Sequence, residues 1–195
     1  MNLDVVINLD VVLIPGLTVE LGNALKTQKE TLMTNEELFL AVALNGWKGN
    51  IERADKIFSG LSEEELLKEV APGKNRLIYL WGHLTAVHDA MLPLLGFGRR
   101  RHPEFDVAFI SNPDKTQAGI PPVESVRKAW KEVNARLFEG FASLSAADWL
   151  KKHGAVSEED FLKEPLRNRL AILLSRTNHL AYHLGQTALR PKYLE

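Results

Sequence analysis

Apolar positions recur at steps of three and four along four long segments of the chain, a period that predicts four amphipathic helices. The first opens at the capping box Thr34-Asn35-Glu36-Glu37 and is carried to about Ser59 by Leu38, Val42, Asn45, Gly46, Gly49, Arg53 and Ile57. A second box, Ser62-Glu63-Glu64-Glu65, predicts a short helix to about Val70, stopped by Ala71-Pro72-Gly73. The second long helix is expected over Asn75–Leu95, with Leu77, Leu80, Trp81, Leu84, Val87, Met91 and Leu94 on its apolar face. The third is expected over Val123–Leu144, with Val126, Trp130, Val133, Leu137, Phe138 and Phe141. Short turns headed by Ser145 and Ser157 precede the fourth, Glu164–Leu189, whose first turn would hold Pro165. Four such helices make an all-α four-helix bundle the expected architecture.

Two stretches break the helical period. Over residues 1–14 every odd position from Leu3 to Leu13 is apolar, which predicts a strand. Its partner would be a copy in another subunit or Glu104–Ser111, where Phe105, Val107 and Phe109 also alternate; the alternative is a loosely ordered arm. The chain is read as an N-terminal arm, 1–32, and a bundle domain, 33–195. The proline-rich stretch Gly96–Pro122 is too long for a simple antiparallel turn and predicts a crossover between the second and third long helices. It is also expected to line much of the substrate pocket.

Composition narrows the class. The chain has 195 residues and a net charge of −1, which gives no electrostatic case for nucleic acid or an anionic membrane. Arg99-Arg100-Arg101-His102 is a local exception, read as a solvated loop or as a site for an anionic substrate. Cysteine is absent, so disulfides, thiolate metal ligands and a cysteine nucleophile are excluded, and any thiol chemistry needs a small molecule from outside. That composition fits a reducing cytoplasm. No apolar run reaches the length of a membrane span, and Asp4 and Asp10 interrupt the only stretch resembling a leader.

The chemistry concentrates in Arg176-Thr177-Asn178-His179-Leu180-Ala181-Tyr182-His183-Leu184-Gly185-Gln186. His179 and His183, four residues apart, share one face of a helix and can hold one cation between them. Taken alone, the pair reads more simply as two hydrogen-bonded histidines in or near the core. A third ligand separates the readings, and His83 is the candidate. It lies beside the apolar face of the second long helix, where a buried imidazole must find a partner. Gly82 before it permits close approach of another element. His88, five residues on, points elsewhere on the helix. Gln186, Tyr182, Asn178 and Arg176 are candidates to orient the ligand histidines, with Gln186 first because it shares their stripe. Asp89 is at a poor angle to His83.

Trp81-Gly82-His83-Leu84, followed by Asn178 through Gln186, resembles the DinB-like (YfiT-like) family over roughly Thr34–Leu189. The resemblance implies an up-down-down-up four-helix bundle, frequent homodimers, and a divalent metal held by three histidines, here His83, His179 and His183. Characterised members include small-thiol-dependent transferases and isomerases. Three imidazoles suit zinc, nickel or iron and leave a position open for a small-molecule substrate or a low-molecular-weight thiol. The activities in play are a thiol transferase first, then a metal-dependent hydrolase, then a non-catalytic bundle in which the metal only ties helices together.

Overall fold

The computed structural model describes residues 33–116 and 119–190, and the predicted N-terminal strand and arm lie outside them. The described residues are helical, with two isolated bridges and no strand. None of these helices is long and apolar enough to cross a membrane.

Helix α1 spans Asn35–Ser59. Its capping box closes in both directions, with Glu37 N donating to Thr34 Oγ1 at 3.2 Å and Thr34 N to Glu37 Oε2 at 2.8 Å. The face it buries is Trp47, Ile51, Ala54 and Phe58, not the stripe through Val42, Gly49 and Arg53 read from the sequence. The two large aromatics set the rotation, because burying them removes far more apolar surface than burying Val42 does. Phe58 stacks on Trp81 with ring centres 5.0 Å apart.

Helix α2 is one turn, Glu63–Leu66, capped by Ser62, and ends short of Val70. There the backbone turns back on itself, with Val70 N donating to Asn75 O and Leu77 N to Lys68 O, both at 3.0 Å. Helix α3, Leu77–Leu95, is the centre of the bundle, with fourteen of its nineteen residues buried. A helix apolar on nearly every side can only be satisfied by neighbours all round. Helices α5 (Val123–Ala142) and α8 (Arg169–Thr187) pack along it. The start of α3 is pinned by Asp114, which accepts from Arg76 N at 2.7 Å and Nη2 at 2.6 Å. Gly96 ends it in the left-handed conformation at φ 82°.

Residues 104–111 are not a strand. Phe105–Phe109 form helix α4, which packs on α3. Phe105 and Phe109 are buried and Val107 is 55% exposed, so the spacing of four decides and the alternation is incidental. The arginine run before α4 is largely neutralised. Arg100 pairs with Asp89 and Asp106, and Arg101 with Glu132. Asp89, fully buried, also accepts from Arg101 N and His102 N, fastening this loop to α3.

Helices α6 (Ala146–Trp149) and α7 (Glu158–Lys163) are short and capped by Ser145 and Ser157. The fourth long helix starts later than predicted. Asn168 caps α8 by accepting from Ala171 N at 2.9 Å, and Pro165 lies outside the helix. The residue before a proline is driven out of the helical region, and Glu164 sits at φ −138°, ψ 73°.

The core centre holds one polar pair. His88 donates from Nδ1 to Asn134 Oδ1 at 2.9 Å, between the rings of Trp47 and Trp130.

Candidate metal centre

His83 reaches the site from α3, and His179 and His183 from α8. The apolar stripe Leu173, Leu180 and Leu184 seats α8 on the core. The histidines occupy its edge, one turn apart. Their ligand atoms, one from each ring, lie within 4.8 Å of one another. His179 Nε2 is 3.2 Å from His83 Nε2 and 3.1 Å from His183 Nε2.

Hydrogen bonds on the far sides of two rings fix their tautomers. His83 Nδ1 donates to the Phe109 carbonyl at 2.8 Å, and His183 Nδ1 donates to Gln186 Oε1 at 2.8 Å. Each neutral ring then presents a bare lone pair at Nε2. A proton on His179 Nε2 could serve one of those lone pairs but not both. A cation serves all three. Bonds of about 2.0–2.1 Å to a tetrahedral ion place its ligand nitrogens about 3.3 Å apart, close to the spacings found here. The donor set therefore fits a divalent ion with one position left open.

The electrostatics agree. Burial pushes all three imidazoles below the ordinary range; the hydrogen bonds to the Phe109 carbonyl and to Gln186 oppose it in part at His83 and His183, and Arg176 adds to it at His83 and His179. For His179, burial, then His183, His83 and Arg176, bring the value to about 4. Rings that resist protonation at neutral pH keep their lone pairs for a metal.

Gln186 does more than sit on the stripe. It holds His183 while its own Nε2 donates to Tyr182 Oη at 3.2 Å. A cleft of about 230 Å3 opens beside it, lined by Val70, Gly73, Lys74, Asn75, Gln186 and Leu189. The turn after α2 thus borders Gln186, while no residue of 96–122 lines this cleft; that loop's contribution to the histidines is the Phe109 carbonyl. Tyr182 is largely exposed, its ring against His183. Asn178 is exposed and makes no hydrogen bond to the histidines. Arg176 is half-buried, and its charge bears on His83 and His179. Gln186→Leu is expected to free His183 and weaken metal affinity by about 10–100-fold, checked by competition with a chromogenic chelator.

The Phe109 carbonyl is a participant that residue types do not reveal. A backbone acceptor carries no residue signature, and the one hint was Gly82. A Cβ at residue 82 would lie 2.3 Å from the Phe109 ring. Gly82→Ala should therefore displace α4 and with it the acceptor of His83. The expected cost is about 1–3 kcal/mol, read as a lower urea midpoint, together with weakened metal binding.

A sequence profile of the DinB superfamily matches residues 47–187, a span that takes in all three histidines and well over half of the chain. The chain belongs to the DinB superfamily. Comparison with curated proteins finds no match.

Proposed function

We propose that His83, His179 and His183 hold a divalent metal ion, zinc, nickel or iron, and that the protein is a small-thiol-dependent transferase. One observation carries the metal assignment: three Nε2 atoms converge, two of them with lone pairs fixed by donors on the opposite ring nitrogen. Family membership and the absence of any cysteine support the thiol assignment. An ion so held supplies Lewis acidity at neutral pH, under which a small thiol is a good nucleophile. The chain's part is to keep the imidazoles neutral and oriented, through the Phe109 carbonyl and Gln186, and to hold the reacting molecule in the adjoining cleft. The setting proposed is the cytoplasm, where small thiols stay reduced, and the assembly a homodimer; the uncovered Phe39, Leu162 and Leu166 give apolar surface for association.

The test is metal-loaded protein supplied with a small thiol and a chlorinated aromatic electrophile. The thiol sulfur displaces chloride, forming a C–S bond and breaking C–Cl, with the thiol proton passing to solvent. Thioether formation that needs both the metal and the three histidines is expected. Ester hydrolysis without thiol, and no thioether, would replace the transferase with a hydrolase. Neither activity, together with unfolding of all three alanine variants, would favour a structural site.

A further inference from the structure

Arg176 is unpaired among the described residues. It stands on the same stripe of α8 as the ligands, one turn before His179, a separation of about 4.5 Å along the axis. Its Nε is buried without a hydrogen-bond partner, and among the described residues none of its nitrogens meets a carboxylate. The electrostatic influences on the three histidines include Arg176 and one another but no acidic side chain. A half-buried guanidinium without an anion is costly, and a divalent cation one turn away makes the local charge more positive still.

Several other arginines are paired with carboxylates, and Arg169, also half-buried with an unpartnered Nε, donates from Nη1 to the Asp148 carbonyl. Arg76 has Asp114, Arg100 has Asp89 and Asp106, and Arg101 has Glu132. The run at 99–102, considered above as a possible site for an anion, is thus largely occupied by the protein's own carboxylates. Arg176 is left with donors to offer beside the metal centre.

We propose that Arg176 is the anion-recognition residue of this site, and that the molecule it selects carries a carboxylate which the guanidinium grips while the rest of that molecule reaches the three histidines. A planar guanidinium fits a carboxylate with two parallel hydrogen bonds, a geometry that an ammonium cannot reproduce. The carboxylate could belong to the electrophilic substrate or to the thiol; the chemistry is shared. This inference rests on the metal reading only in placing the far end of the ligand.

Calorimetric titration of the full-length, metal-loaded protein tests it. Mercaptoacetate against 2-mercaptoethanol probes a carboxylate on the thiol, and benzoate against benzyl alcohol probes one on the substrate. In at least one pair the carboxylate is expected to bind about tenfold or more tightly, and that preference should vanish in Arg176→Met while metal content stays unchanged. Arg176→Lys, which keeps the charge without the fork, should retain part of it. Equal binding within both pairs by the wild type, or a preference that survives Arg176→Met, would overturn the proposal. Benzoate binding that depends on Arg176 in protein shown to hold no metal would leave this inference standing and sink the metal reading. A full metal site with no carboxylate preference would do the reverse.

Discussion

Replacing His83, His179 or His183 by alanine is expected to abolish stoichiometric metal binding while leaving the bundle folded. Transition-metal sites built from protein side chains bind with about 10–16 kcal/mol in total, so the loss of one ligand of three should cost about 3 kcal/mol or more, a hundredfold in affinity. The fold should survive because each histidine stands at the edge of the core. Leu173, Leu180 and Leu184 remain to seat α8, and α3 keeps its own buried face. Removing His83 exposes one backbone carbonyl, of Phe109, and removing His183 frees Gln186. Chelator competition would give the affinities, and circular dichroism melts the stability. Three variants that unfold alike would mean the histidines act as structural staples.

The second large effect concerns His88, which lies in the core and not in the three-histidine cluster. Burial, partly offset by its hydrogen bond to Asn134, brings its pKa down from 6.5 to about 3. An unfolded chain takes up a proton near 6.5 that the native core refuses until about 3. More protons are bound by the unfolded state throughout that interval, so stability is complete above the upper value and falls as pH drops toward the lower one. Each pH unit costs about 1.4 kcal/mol, or about 2 kcal/mol between pH 6.5 and 5. Urea titrations at those two pH values should show that loss, and His88→Gln should lose less by a similar amount. Equal acid sensitivity in the variant and the wild type would show that His88 is not the group responsible. Carboxylates held low, such as Asp106 beside Arg100, titrate further down and are common to both proteins.

Much of this was legible in the chain itself. The four long helices follow from apolar spacing, and two capping boxes, at Thr34 and Ser62, with the serine caps at Ser145 and Ser157, mark starts that the structure reproduces. Two histidines four apart on a helix must share a face, and Gly82 beside His83 signalled a close neighbour, which is the Phe109 ring. What failed did so for identifiable reasons. Phe105, Val107 and Phe109 satisfy the strand period, but Phe105 and Phe109 also satisfy the helical one, and pattern alone does not choose between them. The buried face of α1 differs from the stripe through Val42 and Ile57 because Trp47 and Phe58, outside that stripe, carry the larger apolar surface and set the rotation. The start of α8 was set by an asparagine cap and a pre-proline constraint, where the sequence offered Pro165 as a first-turn residue. Neither the Phe109 carbonyl nor the solitary state of Arg176 can be read from residue types, because both depend on what tertiary packing brings near.

Elemental analysis of purified, tag-free protein bears most directly on the metal centre. About one zinc, nickel or iron ion per chain, lost on dialysis against chelator and regained on adding the metal back, is the result expected. Folded protein that carries no divalent metal, and takes up none when offered a slight excess at neutral pH, would contradict it.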